Sequence, residues 1–283
     1  MKKRLKRMLA EVLPEHVLSD VYNSYDIVGD IAIIRLTKET LQFGEKIAET
    51  IMKIHRNVQT VLAQTSPVHG DFRTRKLEHV AGENKTVTLH KESRCLFSVD
   101  VEKCYFSPRL SFERMRVAKQ VRDGEVIVNM FAGVGCFSIV IAKNSNAEKI
   151  YSIDINPAAV EYMKENVRLN RVYGRVIPIL GDAKEIILQR LSGKAERVLM
   201  PLPEKAYEYL PYAISTFKNQ RGVVHYYNFE HAKKGEDPVE KVKLKVIKKL
   251  EELNVGYKFL FGRVVRTTGP NWHQVVLDIK ING

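Results

Sequence analysis

The chain has 283 residues, 45% hydrophobic and 28% charged, with a formal net charge of +13. That length suffices for one large or two ordinary globular domains, and no apolar run is long enough to span a membrane. The positive excess points to a polyanion, nucleic acid first, because a thermophile's charged surface usually balances its signs.

The first residues, Met1-Lys-Lys-Arg-Leu-Lys-Arg-Met-Leu-Ala10, begin as a secretory leader does. Glu11, Pro14, Glu15 and His16 then interrupt any apolar core, so the expected location is the cytoplasm and residues 3–13 read as a short basic helix. Cys95, Cys104 and Cys136 have no Cys-x-x-Cys spacing, which predicts reduced thiols, with no zinc site and no disulfide framework. Residues 25–36 are β-rich with a bend at Gly29-Asp30, and residues 39–55 carry Leu41, Ile47, Ile51 and Ile54 at helical spacing. Short strands follow near 58–63, 76–81, 86–91 and 94–101. Residues 1–104 therefore read as a smaller N-terminal α+β domain.

Residues 105–283 read as a second domain, in which the pattern alternates strand and helix from Ser111 onward. Helix 111–121 leads into Val126-Ile-Val-Asn-Met-Phe-Ala-Gly-Val-Gly-Cys-Phe-Ser-Ile139, which reads as a buried strand, a turn and a helix start. Phe131, Ala132, Gly133, Val134 and Gly135 form the turn, where the glycines let backbone approach a ligand without a Cβ in the way. Asp154, followed by Ile155, ends a second strand and can accept hydrogen bonds from ribose hydroxyls. Asp182, followed by Ala183, ends a third strand and can accept one from an adenine amino group. Ligands of open α/β sheets bind at these carboxyl ends. The dinucleotide fingerprint needs a third glycine where Ser138 stands, so a pyrophosphate fits poorly. S-adenosylmethionine (AdoMet) carries adenosine without phosphate and suits the turn better. The plain alternative is that both aspartates cap the helices that follow.

Strands near 196–200 and 222–228 come next, then helix 238–253. Val239, Val242, Val246, Leu250 and Leu253 give that helix one buried face, and its lysines read as a solvated face. Strands 256–266 and 272–281 close the chain, joined by Thr267-Thr-Gly-Pro-Asn271. The fold class is α/β: a seven-stranded, Rossmann-like AdoMet-dependent methyltransferase sheet, parallel except for one strand, beside the smaller N-terminal domain.

The block Tyr105-Phe-Ser-Pro-Arg-Leu-Ser-Phe-Glu-Arg114, followed by Asn129-Met-Phe-Ala-Gly-Val-Gly135, resembles the archaeal and eukaryotic tRNA (guanine-37, N1)-methyltransferase family and its wyosine-pathway paralogues. The resemblance spans roughly residues 22–283 and includes Ser152-Ile-Asp-Ile-Asn-Pro157, Asn166-Val-Arg-Leu-Asn170, Ile179-Leu-Gly-Asp182 and Val224-His-Tyr-Tyr227. It implies AdoMet as cofactor and the purine at tRNA position 37, in the anticodon loop, as target. It assigns the general base to Glu113, which would remove the proton from guanine N1. It assigns to Arg73 the stabilisation of charge on guanine O6. Tyr105 resembles the aromatic that packs near AdoMet. Arg73, Arg109, Pro201 and Pro203 fall where the family meets its tRNA, with Pro201 also near the cofactor. The resemblance further implies an N-terminal domain that faces RNA, and a monomer. From the residues alone, Glu113 reads as an ion pair with Arg114, Arg116 or Lys119 on a solvated helix. Arg73 reads as a loop charge and Tyr105 as a core tyrosine.

Two departures bear on substrate. The family usually places Asn-x-Pro after its fourth strand, whereas here Val198-Leu-Met-Pro-Leu-Pro203 puts Pro201 at the asparagine, leaving only a carbonyl. About twenty residues precede the match, fewer than the elbow-gripping N-terminal domain of many members would need. Carbon-7 methylation of 4-demethylwyosine, alone or as a second activity, is therefore an alternative. So is aminocarboxypropyl transfer, although the Pro108-Arg109 pair favours methyl transfer. A non-catalytic tRNA-binding protein would not need AdoMet, and a nicotinamide dehydrogenase would need the missing glycine.

Overall fold

The computed structural model describes residues 2–282. The chain divides into two compact units, Met1–Ser111 and Phe112–Gly283.

The first unit holds α1 (Lys2–Leu9), α2 (Glu15–Leu18), β1 (Asp26–Val28), β2 (Ile31–Ile34), α3 (Gly44–Ile54), β3 (Thr60–Gln64), β4 (Leu77–Gly82), β5 (Val87–Glu92) and β6 (Cys95–Asp100). β1 to β4 form one sheet in sequence order, with only β2 and β3 parallel, and β5–β6 is a separate hairpin. α1 is shorter than the predicted 3–13 helix; it stops at Leu9, and Pro14, which restricts the residue before it, starts α2. Leu5, Leu9, Leu13 and Val17 pack with Ile47, Ala48 and Ile51 of α3, so an apolar stripe, not charge, places α1. The predicted helix at 39–55 begins instead as a 3-10 turn, Leu41–Phe43, in which Leu41 is 59% exposed and outside the core. Gly29 makes the β1–β2 turn at φ 57°, where a Cβ would come within 2.1 Å of Thr88 Oγ1 and 2.7 Å of the Leu89 carbonyl. Only glycine fits there.

The structural boundary lies after the 104/105 division expected from sequence. Residues 105–111 stay with the first unit through side-chain contacts. Phe106 meets the His90 ring edge-on at 5.0 Å, and Arg109 Nε donates to Asp26 Oδ1 at 2.6 Å.

The second unit is built from α4 (Ser111–Ala118), β7 (Val126–Asn129), α5 (Cys136–Asn144), β8 (Lys149–Asp154), α6 (Pro157–Leu169), β9 (Val176–Leu180) and α7 (Ala183–Ile186). β10 (Arg197–Met200), α8 (Ala206–Ser215), β11 (Gly222–His231), α9 (Pro238–Glu252), β12 (Gly256–Gly269) and β13 (Trp272–Asn282) complete it. The sheet runs β12-β13-β11-β10-β7-β8-β9, and β13 alone is antiparallel to its neighbours. Strand order reverses between β7 and β10, which sets the switch point, and hence the ligand crevice, at their carboxyl ends. Val242, Val246 and Leu250 of α9 are buried, and burial stabilises by about 1.5–3 kcal/mol each. The α9 lysines Lys243, Lys245 and Lys249 pair with Glu240, Glu230 and Glu252, as befits a solvated face. The last connection is tighter than the predicted 267–271: β12 runs on to Gly269, leaving Pro270 and Asn271 as the turn, with Asn271 at φ 58°. None of the described helices is long and apolar enough to cross a membrane.

Candidate active site

The candidate nucleoside site is assembled from three strand ends. The turn after β7 places Gly133 at φ 55° and Gly135 at φ 89°, both left-handed. Gly135 owes its identity to packing more than to a ligand, because a Cβ there would stand 2.9 Å from Met163 Cγ of α6. Ala132 N donates to the Ile153 carbonyl, and the Val134 carbonyl accepts from Asn166 Nδ2, so both turn residues are fixed to neighbouring elements. Ser138, where a dinucleotide turn would carry glycine, is fully buried. It accepts hydrogen bonds from Asn129 Nδ2 at 3.0 Å and Ser152 Oγ at 2.7 Å, tying β7 to β8.

Asp154 does not cap α6; Asn156 does, accepting from Ala158 N. Asp154 instead braces the glycine turn, accepting from Gly133 N at 2.6 Å and Asn156 N at 3.0 Å. Burial pushes its carboxyl above the usual range, against the pull of those N–H groups. Asp182 does cap the helix that follows, accepting from Lys184 N at 2.8 Å and Glu185 N at 3.4 Å. Its second oxygen accepts from Tyr209 OH at 2.6 Å. Tyr209 also meets Phe131 edge-on at 5.3 Å, which brings an aromatic of α8 to the turn. Nothing in the sequence pattern singled out Tyr209. Ala183 is buried behind the cap.

Beside these carboxylates Ile155 is 44% and Leu180 52% exposed, and Leu180 is the register partner of Asp154. Open apolar side chains next to acceptors suit a flat ring with a polar edge. No lysine or arginine lies in the turn 130–136 to meet a pyrophosphate. The residue set thus fits adenosine or AdoMet. Pro201 and Pro203 follow β10 at the same edge of the sheet; Pro203 is buried and Pro201 partly so.

Glu113 sits in the first turn of α4 and is buried, not on a solvated face. Its Oε1 accepts from Arg116 Nη2 at 2.7 Å and Nε at 3.0 Å, and from Tyr227 OH at 2.8 Å. Its Oε2 accepts from Arg116 Nε at 3.1 Å and from Arg263 Nη2. Of the sequence candidates for its partner, Arg116 holds it. Burial alone would raise the Glu113 carboxyl; Arg116, Arg263 and Tyr227 outweigh it and hold it below the usual range.

Arg116 is itself gripped by Asp278, with Nη1 to Oδ2 at 2.5 Å and Nη2 to Oδ1 at 3.0 Å. Asp278 Oδ1 also meets His225 Nδ1 at 2.7 Å, and His225 Nε2 meets Arg197 Nη1 at 2.8 Å. Since a guanidinium only donates, Nε2 must accept, and His225 is the neutral tautomer with its proton on Nδ1. Arg197 ends the chain of charges on Glu125. Three carboxylates and three guanidiniums thus alternate through the unit. The Glu113–Arg116 spacing was legible as an i,i+3 pair, but Arg263, Tyr227, His225 and Asp278 are brought in by the sheet.

In the first unit, Arg73 occupies a loop between β3 and β4 at φ 54°, a costly conformation for a non-glycine residue. It lays its guanidinium 4.5 Å from the Tyr105 ring centroid, so two of the singled-out residues meet. Arg109, about half exposed, is paired with Asp26. Arg73 and Glu113 belong to different units. The three cysteines are buried, and no metal-binding cluster occurs among the described residues.

A sheet of this order, with the candidate nucleoside site at its switch point, is that of the Rossmann-like AdoMet-dependent methyltransferases. Residues 88–255 match the TRM5/TYW2 methyltransferase domain and residues 5–86 the TYW2 N-terminal domain; the chain belongs to this family. It is 41% identical to Pyrococcus abyssi tRNA (guanine(37)-N(1))-methyltransferase Trm5b, over 95% of this chain and 78% of that one. It is 38% identical to Saccharolobus solfataricus tRNA 4-demethylwyosine(37)-methyltransferase Taw21, over 93% and 95%. Among solved structures it resembles a complex of aTrm5 with tRNALeu (TM-score 0.84, 36% identity, 100% of this chain and 79% of that one). It also resembles Methanocaldococcus jannaschii Trm5 with adenosine (TM-score 0.81, 34% identity, 99% and 78%).

Proposed function

We propose that the chain methylates N1 of the guanine at position 37 of tRNA, in the anticodon loop, with AdoMet as donor. The observation that carries this is the buried, ionised Glu113 held by Arg116, Arg263 and Tyr227. Guanine N1 bears a proton at neutral pH and is a poor nucleophile until it leaves. Bound AdoMet, held by the turn 131–135, Asp154, Ile155, Asp182, Ala183 and Pro201 with Tyr105, supplies an electrophilic methyl group. Glu113 takes the N1 proton as general base, and Arg73 neutralises the charge that develops on O6. The left-handed backbone at Arg73, with the guanidinium laid on Tyr105, supports a placed group rather than a stray surface charge. The net charge of +13 suits an RNA partner. The first unit faces RNA through Arg73 and Arg109, Pro201 and Pro203 of the second unit also meet the tRNA, and the protein acts as a cytoplasmic monomer.

A second reading has its own support. Pro201 replaces the amide donor expected beside the target base, and similarity to the Taw21 enzyme extends over nearly the whole of both chains. On that reading the nucleophile is carbon 7 of 4-demethylwyosine, and Glu113 removes the proton that the carbon carries. The test is mass spectrometry of nucleosides after incubation with AdoMet and either unmodified or 4-demethylwyosine tRNA. N1-methylguanosine from the first substrate carries the proposal. Product from the second alone replaces it with the carbon-7 reading, and an aminocarboxypropyl adduct overturns both.

A further inference from the structure

A general base needs a lone pair that its substrate can reach, yet every side of the Glu113 carboxylate is occupied. The two oxygens differ in how firmly. Oε1 is saturated by two Arg116 contacts and Tyr227 OH. Burial and Glu113 push the Tyr227 phenol well up, so it stays a donor. Arg116 is clamped by Asp278 and nearly buried. Oε2 has only the long Arg116 Nε contact at 3.1 Å and Arg263. Arg263 comes from the long strand β12 and remains 30% exposed. Its guanidinium lies 5.3 Å from the ring centroid of Phe112, itself 73% exposed, and its buried Nε has no hydrogen-bond partner. It is the one donor to Glu113 that can leave without breaking the buried network.

We propose that Arg263 is the positioning residue of the base: it holds Glu113 Oε2 until the purine enters, and its displacement both opens Oε2 and strengthens it as a proton acceptor. This rests on Glu113 being the base. On entry the purine N1–H bond breaks, an O–H bond forms at Oε2, the electron pair stays on the purine, and Glu113 later returns the proton to water. The groups facing the carboxylate are Arg116 on α4, Tyr227 on β11, Arg263 on β12, and Asp278 on β13 through Arg116. Of these, only the Arg263 contact is exchanged. The exchange removes a cation from the carboxylate only when a substrate is there to give a proton. In the free enzyme the carboxylate stays paired.

The experiment is a pH–rate profile of single-turnover methyl transfer at saturating AdoMet and subsaturating tRNA, where the acidic limb reports the free enzyme, on whichever of the two tRNAs is the substrate. Wild type is compared with Arg263→Gln, Phe112→Ala and Glu113→Gln, with AdoMet titration calorimetry as the check on folding. Arg263 lowers the proton affinity of Glu113 in the wild type. Its removal therefore moves the acidic limb to higher pH, so that Arg263→Gln loses most rate at acid pH and recovers toward alkaline pH. Phe112→Ala, an exposed change that keeps the fold, removes the ring that steadies the guanidinium and moves the limb the same way by less. An unmoved limb in both variants overturns the proposal, whether the rate falls uniformly or not at all. Glu113→Gln should lose the limb and ~10²–10⁴ in rate. If it keeps the wild-type rate and limb, the base assignment itself fails, a result distinct from an unmoved limb in the other two.

Discussion

Asp278→Asn keeps the shape of the side chain and removes one charge from the buried network. Asp278 is 1% exposed and receives Arg116, Gln120 and His225 at 2.5–3.0 Å. Its loss leaves three buried or half-buried guanidiniums facing two carboxylates, with His225 already neutral. Breaking one member of such a buried pair costs ~3–5 kcal/mol. In a unit of this size ~1 kcal/mol lowers the midpoint by about 2–4 °C, so a fall of roughly 6–20 °C is expected by calorimetry. The pH dependence follows from the shift. Burial raises the Asp278 carboxyl, but His225 and Arg116 outweigh it and hold it far below the usual range. A depressed carboxylate contributes stability above its unfolded value and loses it only as pH falls through the folded one. The difference between wild type and variant should be constant across neutral pH and shrink only in acid, below the ordinary carboxylate range. A loss under ~1 kcal/mol at neutral pH would refute the view that this network bears on stability.

Asp154→Ala should weaken AdoMet by ~1.5–3 kcal/mol in calorimetry, the usual cost of losing a charged hydrogen bond. Unchanged affinity in a folded variant would remove Asp154 from the nucleoside site. Because burial raises the Asp154 carboxyl, wild-type affinity should begin to fall at a higher pH than for an ordinary aspartate as the solution is acidified. Affinity for tRNA should drop steeply across a salt series through counterion release, and a flat dependence would separate the +13 charge from phosphate binding. Glu113→Gln should bind AdoMet as wild type does while losing single-turnover rate. A parallel loss of AdoMet affinity would make Glu113 a structural residue of the cofactor site.

The sheet was legible because its signals are local. Each strand is an apolar run punctuated by a turn, and Gly133, Gly135, Asp154 and Asp182 fall at strand ends that the periodicity itself locates. The N-terminal domain was read less well. Leu41 keeps helical spacing with Ile47 and Ile51 but lies in a 3-10 turn, where that spacing no longer sets the face. The burial of Glu113 was invisible for a different reason. Its partners Tyr227, Arg263 and, through Arg116, Asp278 come from three strands far along the chain. A run such as Glu113-Arg-Met-Arg116 has the composition of a solvated helix until the sheet closes over it. Asp182 shows a third kind of limit. The cap and the ligand acceptor were posed as alternatives, yet a carboxylate has two oxygens: one caps α7 and the other takes Tyr209.

The charge network also explains how the Glu113 carboxylate can be both buried and ionised. Taking one Glu out of water costs several kcal/mol unless the charge is compensated. Compensation by mobile surface lysines would be screened and imprecise. Arg116 meets both needs, since its fork binds Glu113 on one side and Asp278 on the other. Asp278 touches no substrate in this arrangement, but it fixes the plane of Arg116 and so the direction of Glu113. His225, held neutral by burial and by Arg197 on its far nitrogen, keeps Asp278 from turning away without adding a charge that would change with pH. On the proposed function, Asp278→Asn should slow methyl transfer as well as lower stability, while AdoMet affinity stays at the wild-type value, because the turn of the candidate nucleoside site is braced by a separate carboxylate, Asp154. If AdoMet affinity and transfer rate fell together in that variant, the two halves of the site would be mechanically one, and the division of labour between Asp154 and Asp278 would be wrong.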